Sequence, residues 1–152
     1  MQPITGPAVW KGADFHGDDS WIHRLSADEV AEIDAGLAIL RAKGLPFPDF
    51  TRDDFPLPRL SRQLKGFADE LENGRGFKLL RGLPIERYSD DEIRCLYYGL
   101  GLHMGKPVRQ NPRGELLGRL NHRVRRDRHA TGHKMGFLTR TVLRHSHGRC
   151  SR

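Results

Sequence analysis

A histidine close to a carboxylate is the pair of side chains in this 152-residue chain that could bind a catalytic metal ion. His16-Gly17-Asp18 has the His-x-Asp spacing that supplies two of the three protein ligands of a non-haem iron site. The pair lies in a segment rich in Gly, Pro and Asp, where a solvated turn is the more frequent outcome, and we interpret it as a turn. Trp10 and Trp21, on either side of it, are expected to anchor this segment to the body of the protein.

The positive charge of the chain is concentrated at one end. Residues 1–118 contain 16 Lys and Arg against 18 Asp and Glu, whereas residues 119–152 contain 10 against a single Asp127. Five of the eight histidines also lie in that last segment. Residues 119–152 therefore carry a net charge of +9 and residues 1–118 a net charge of −2, which together give the formal +7 of the chain, and the composition changes near Gly118.

Three interpretations of residues 119–152 are open. A natural basic arm would contact the phosphates of a nucleic acid and lose affinity steeply with salt. A metal-binding tail would use His129 with His133 or His145 with His147, although the surrounding arginines oppose a cation. We favour a shift of the reading frame near codon 119, because out-of-frame GC-rich sequence yields Arg, His, Gly, Ser and Cys with few acids.

Two capping boxes, each a serine followed three residues later by a glutamate, mark helix starts. They are Ser26 with Glu29 and Ser89 with Glu92, and in each the two side chains bond each other's backbone N–H. Apolar residues at helical spacing predict three amphipathic helices with inward stripes. The stripes are Val30, Ile33, Leu37 and Leu40; then Leu57, Leu60, Leu64, Phe67 and Leu71; then Ile93, Leu96, Tyr97 and Leu100.

Glycine and proline set the expected boundaries of these elements. Gly44 should follow the first helix, Asn73-Gly74 should close the second, and glycines 99, 101 and 105 should end the third. Prolines at 46, 48, 56 and 58 predict a rigid connecting loop around Phe55. The apolar run Phe77-Lys78-Leu79-Leu80, bounded by glycines, predicts a buried strand that ends at Leu83-Pro84.

Other patterns narrow the class of protein. Cys95 and Cys150 have the spacing of neither a disulfide framework nor a metal site. No signal-peptide pattern follows Met1, and no apolar run approaches the roughly 18 residues of a membrane span. We therefore expect a cytoplasmic protein without a membrane partner.

Five short segments follow one another between residues 76 and 118: GFKLLRGLP at 76–84, YS at 88–89, YYGLGLHMGKPV at 97–108, QN at 110–111 and GELLG at 114–118. In this order they resemble the taurine dioxygenase (TauD/TfdA) family of Fe(II)/2-oxoglutarate-dependent oxygenases. The ordered set is more specific than any one segment. The resemblance extends more loosely upstream to about residue 8 and stops at residue 118.

The resemblance implies an α+β fold in which amino-terminal helices and a few strands accompany a double-stranded β-helix, a jelly-roll of eight strands. It implies oxidation of a small, anionic organic acid with Fe(II), 2-oxoglutarate and oxygen. Gln110 and Asn111 match an extended piece that lines the substrate side of the family's active site, so both are candidate substrate-binding residues. The alternative is that both side chains hydrogen-bond loop backbone. Arg81 and Arg109 could favour an anionic substrate.

The resemblance breaks where the cofactor ligands would follow. The family needs two His and a carboxylate for Fe(II) and a distal Arg for 2-oxoglutarate, yet residues 119–152 contain no His-x-Asp or His-x-Glu. The codons TCA CAC GGA CGC TGC would encode residues 146–150. Shifted by one base, the same codons read His-Thr-Asp-Ala, which contains the missing His-x-Asp pair.

We therefore predict a partial TauD/TfdA-like domain over residues 1–118 and a disordered or frameshifted Arg/His-rich tail over residues 119–152. In this prediction the truncated chain has no catalytic residue, metal ligand or cofactor of its own and is inactive. The alternative from another class is a small non-enzymatic module that binds nucleic acid through its basic arm. The oligomeric state and the particular substrate are left open by the sequence.

Overall fold

The computed structural model describes residues 5–118, so the predicted tail lies outside the described residues. Its elements are β1 (Ile22–Arg24), α1 (Ala27–Lys43), α2 (Leu60–Asn73), β2 (Leu79–Arg81) and α3 (Asp90–Met104), with 3₁₀ turns at Gly12–Phe15, Arg52–Asp54 and Ile85–Arg87. The chain divides into two compact units, Met1–Lys106 and Pro107–Arg152, and all these elements belong to the first. The predicted α+β class with three helices is confirmed. No helix of the described part is long and apolar enough to cross a membrane.

Helix α1 begins at the capping box predicted from the sequence. The Glu29 N–H donates to the Ser26 hydroxyl at 3.2 Å, and the Ser26 N–H donates to the Glu29 carboxylate at 2.8 Å. The Glu29 carboxylate also pairs with the His23 imidazole at 3.1 Å, which ties β1 to the first turn of α1. The helix ends before Gly44, whose φ of +64° is the left-handed conformation that glycine adopts without strain. Both predicted ends of α1 are confirmed.

Helix α2 takes its amino-terminal cap from another helix. Its own N-cap residue, Arg59, makes no side-chain cap bond. The Glu32 carboxylate of α1 instead accepts the Arg59 and Leu60 backbone N–H groups, each at 3.0 Å. These are two of the four amides that a helix start leaves without an intrahelical partner. The start of α2 is therefore set by α1, and α2 ends at Asn73 as the sequence predicted.

Helix α3 begins at its predicted capping box and runs further than expected. The Ser89 N–H donates to the Glu92 carboxylate at 2.8 Å, and the Glu92 N–H donates to the Ser89 hydroxyl at 3.3 Å. The prediction that glycines 99 and 101 end this helix is wrong, because both lie inside it and only Gly105 follows its last residue. Gly99 stays helical because tertiary packing, described next, outweighs its low helix propensity.

Phe55 lies at the centre of the core, in the loop that the prolines predicted as a connection. Its side chain is fully buried, and its ring sits between Gly36 of α1 and Gly99 of α3. A Cβ on Gly36 would lie 2.8 Å from the ring, and one on Gly99 would lie 2.5 Å from it. Burying a phenylalanine in this way contributes about 1.5–3 kcal/mol. The apolar residues buried around it are Ile33, Leu37, Leu40, Phe50, Leu57, Leu60, Leu64, Phe67 and Leu96.

Most of the predicted stripe residues are in this core. Five of them are only half-buried and lie at its border: Val30, Leu71, Ile93, Tyr97 and Leu100. The interpretation of the stripes as core rather than as a partner-binding face is therefore confirmed for their central positions.

The two strands pair in parallel, with Ile22 opposite Leu79 and Arg24 opposite Arg81. The strand predicted from the run at 77–80 is present but shorter, and the prediction that it is buried is wrong. Leu79 and Leu80 are half-buried because β2 pairs on one edge only within the described residues. The described part contains one parallel sheet of two strands, so the eight-stranded jelly-roll stays a prediction.

The segment before β1 is held by aromatic contacts and by Arg75. The rings of Trp10 and Trp21 meet Phe77 edge to face, with centroids 4.9 and 5.7 Å away, and the Trp10 indole N–H donates to the Arg75 carbonyl at 3.0 Å. The Arg75 guanidinium contacts three side chains from other segments: Asp18, Ser20 and Glu70. The prediction that both tryptophans anchor this segment is confirmed.

The contact between Phe55 and Gly99 predicts the effect of adding one methyl group. We expect Gly99→Ala to lower the free energy of unfolding by about 1–3 kcal/mol, because overpacking a filled core forces side chains and backbone to shift. Gly101→Ala is the matched control in the same helix, since a Cβ there meets nothing within 4 Å. The control should raise stability by roughly 0.5–1 kcal/mol. Urea denaturation measures both, and equal effects at the two glycines would contradict the packing.

Candidate functional site

Residues 107–118 contain the candidate substrate-binding pair in a tight turn. The Gly114 N–H donates to the Asn111 carbonyl at 3.0 Å, which closes a four-residue turn over Asn111, Pro112, Arg113 and Gly114. Asn at the first position, Pro at the second and Gly at the fourth form the usual sequence of a type I turn. Gly114 has a φ of +79°, a conformation that glycine adopts at little cost.

The Asn111 side chain is used by this turn. Its Oδ1 accepts the Arg113 N–H at 3.1 Å and the Glu115 N–H at 3.2 Å. Its Nδ2 donates to the Glu115 carboxylate. Asn111 is half-buried, and its amide therefore links the two sides of the turn.

Gln110 is the more available member of the pair. Its backbone N–H donates to the Glu115 carbonyl at 2.7 Å, and its side-chain Nε2 donates to the Val108 carbonyl at 3.0 Å. The residue is exposed, so water can replace that side-chain bond. A substrate carboxylate could accept only from the two amide nitrogens, each of which has two hydrogens and donates one of them within the segment, Gln110 to Val108 and Asn111 to Glu115. The substrate-binding role of both residues stays a prediction.

The two arginines suggested for an anionic substrate lie in different units. Arg109 packs along Gly114 within the turn segment, where a Cβ on Gly114 would lie 3.7 Å from the Arg109 Cδ. Arg81 is the exposed last residue of β2 in the first unit. Each side chain is accessible to solvent, which permits an anion contact without requiring one.

The His16-Gly17-Asp18 segment forms a structural turn, as the sequence interpretation had it. Asp18 accepts the Ser20 N–H at 2.8 Å and pairs with the Arg75 guanidinium at 3.1 Å. The bonds from Ser20, followed by the charge of Arg75, lower the pKa of the Asp18 carboxyl below its ordinary value. Among residues 5–118 no three His, Cys, Asp or Glu side chains are grouped to hold a metal ion. The described residues therefore do not fit an Fe(II) centre.

Several ionisable side chains in the first unit have partners that the sequence analysis did not find. His103 of α3 is buried, and its Nε2 lies 2.7 Å from the Phe55 carbonyl oxygen. The spacing of Leu96, Gly99 and His103 along one helical face was an available signal for the burial of His103, but not for its partner. The Tyr88 hydroxyl donates to Asp34 of α1 at 2.8 Å, and burial together with that carboxylate raises the pKa of Tyr88 to about 12. Burial also raises the pKa of the Cys95 thiol.

Two curated proteins are similar to this chain over much of its length, and no family profile matches it. FR-33289 synthase from Streptomyces rubellomurinus is 31% identical over 128 residues, which cover 79% of this chain and 38% of that protein. The taurine hydroxylase-like protein SAT17 from Stachybotrys chartarum is 30% identical over 102 residues, which cover 67% of this chain and 26% of that protein. The chain thus spans well under half the length of these relatives.

The bonds of Asn111 predict a local effect of its removal. In Asn111→Ala the Arg113 and Glu115 amides lose their acceptor, and we expect their hydrogen exchange to become at least several-fold faster, as measured by NMR. Gln110→Ala is the matched control, because its side chain accepts neither amide. Unchanged exchange in the Asn111 variant would show that its side chain does not hold the turn and is free for a ligand.

Proposed function

We propose that residues 5–118 are the amino-terminal portion of an oxygenase domain of the TauD-like Fe(II)/2-oxoglutarate-dependent dioxygenases, the family to which this chain is related. The resemblance seen in the motifs at 76–118 is confirmed by the two relatives. The observation that supports the proposal most is the 31% identity to FR-33289 synthase across 79% of the chain. Capping boxes and core packing hold α1, α2 and α3 together without a ligand. We therefore expect the residues that bind substrate and cofactor to lie outside this helical framework.

The proposed reaction of the whole domain is the oxidation of a small organic acid with Fe(II), 2-oxoglutarate and oxygen. The role that we propose for this chain is substrate binding, through the exposed Gln110 amide and the turn that contains Asn111. An amide N–H can donate to a substrate carboxylate, and the positive charge of Arg109 nearby in the sequence would favour an anion over a neutral molecule. Fe(II) would supply the oxygen chemistry, and residues 5–118 do not include a ligand set for it.

We further propose that the 152-residue chain does not turn over 2-oxoglutarate. Residues 119–152 contain no His-x-Asp or His-x-Glu, and their composition differs from that of residues 1–118. A shift of frame near codon 119 accounts for both features. In that case the iron ligands are encoded in the gene and are missing from the polypeptide.

The proposal is tested by supplying the purified chain with Fe(II), 2-oxoglutarate and oxygen, with and without candidate organic acids. We expect no succinate above the protein-free control and no stoichiometric Fe(II) retained after dialysis. Reading the gene past codon 118 is the second arm, and another frame should encode a His-x-Asp followed by strand-like sequence. Tight Fe(II) uptake with succinate formation would overturn the inactivity. Absence of a continuing frame would overturn the frameshift and leave the family relationship intact.

The charge of residues 119–152 supports the competing function of a nucleic-acid-binding module. Ten Lys and Arg against one acid in 34 residues is enough positive charge for several phosphate contacts. If this function is correct, binding of duplex DNA or RNA should fall with salt at a log–log slope of several units and disappear on deletion of residues 119–152. We expect, under the oxygenase proposal, no binding at about 0.15 M salt, measured by fluorescence anisotropy.

A further inference from the structure

His103 is buried at the point where α3 meets the loop that contains Phe55. The side chain is 7% exposed, and its Nε2 lies 2.7 Å from the Phe55 carbonyl oxygen. A carbonyl oxygen can only accept, so the hydrogen must be on Nε2 and the ring donates it. The other ring nitrogen, Nδ1, is buried without a hydrogen-bond partner among the described residues. In the neutral ring, the Nε2–H group therefore has its acceptor, and the Nδ1 acceptor is unused.

Protonation would turn this satisfied ring into a buried cation. The added Nδ1–H would be a donor without an acceptor, and a buried donor left unpaired is costly, as is a buried charge without a partner. The Phe55 carbonyl could not compensate, because it already accepts from Nε2.

The charged groups that act on the ring both come from the 3₁₀ turn Arg52–Asp54. Burial is the main effect and lowers the pKa of His103, Arg52 lowers it further, and Asp53 and the Phe55 carbonyl raise it. The position of His103 in the last turn of α3 also favours a positive charge. Since the pKa is lowered in spite of these opposing groups, desolvation decides the direction.

We propose that His103 is an acid-operated latch on the loop of residues 51–58. The neutral ring holds the Phe55 carbonyl, and this bond keeps the Phe55 ring between Gly36 and Gly99. When the imidazole takes up a proton, the loop opens far enough for water to reach His103. The latch needs no ligand and acts in the first unit alone.

The direction of the pH effect follows from the lowered pKa. The open state has an ordinary histidine with a pKa near 6.5, and the closed state binds the proton less well. The stabilisation of the closed loop is therefore complete above pH 6.5 and is lost as the pH falls below it. Opening takes up one proton, so the open fraction should rise as the pH falls from 8 to 5.5, with an upper limit of about tenfold that is reached when the closed ring does not titrate in this range.

Residue-resolved amide exchange on the full chain tests the latch. The Phe55 N–H donates to the Arg52 carbonyl at 3.2 Å, and the Asp54 N–H donates to the Thr51 carbonyl at 3.2 Å, so both amides report on the loop. We expect their protection factors, corrected for intrinsic exchange, to fall from pH 8 to pH 5.5 by up to about tenfold. Amides in the middle of α2, such as that of Leu64, should lose much less protection.

Two variants and one titration separate a latch from a merely structural histidine. His103→Gln can still donate to the Phe55 carbonyl and cannot titrate, so its loop protection should not change over this pH range. His16→Gln, which removes an exposed histidine, should show the same fall in loop protection as the wild type. Should His103→Gln fail to fold, the NMR titration of the wild-type His103 ring replaces it, and the ring must stay neutral with its hydrogen on Nε2 at pH 6.5. Loop protection independent of pH, or an equal loss in α2, would overturn the proposal.

Discussion

The packing of one phenylalanine ring against two glycines sets the distance between α1 and α3 in the first unit. Gly36 and Gly99 have no Cβ where Phe55 lies, and a methyl group at either would come within 2.8 Å of the ring or closer. Protein interiors are packed to crystal-like density, so this contact fixes where α1 and α3 can approach the loop. The Glu32 cap then joins α1 to the start of α2, and the Tyr88–Asp34 bond joins α1 to the segment just before α3.

The parts of the fold that local sequence determines were predictable. Both capping boxes lie within four residues of chain, and both form as expected. The helical stripes, the Gly44 cap and the end of α2 are equally local. Gly99 was assigned wrongly because the reason for a glycine there is the Phe55 ring, which lies 44 positions away along the chain, whereas no packing contact explains the glycine at 101. The shortness and half-burial of β2 depend on its pairing with β1, which is non-local too.

In the candidate site, too, features set by neighbouring residues were predictable from the sequence and features set by distant residues were not. The sequence Asn-Pro-Arg-Gly predicts a turn on its own, and the turn is present. The assignment of Gln110 and Asn111 to a substrate rested on family resemblance, and the structure adds which bonds each amide already makes. His103 escaped the sequence analysis because its partner is a backbone carbonyl. Any residue at position 55 has that group, so no residue type signals the pairing.

The parallel pairing of β1 with β2 has a consequence for the order in which this unit assembles. Ile22 and Leu79 meet across 57 residues, and the same span separates Arg75 from Asp18. Closing so large a segment of flexible chain is entropically costly until α1, the Phe55 loop and α2 have shortened the distance between its ends. We therefore expect the helices to form first, and the β1–β2 pair, together with the tryptophan-bearing segment before β1, to form last.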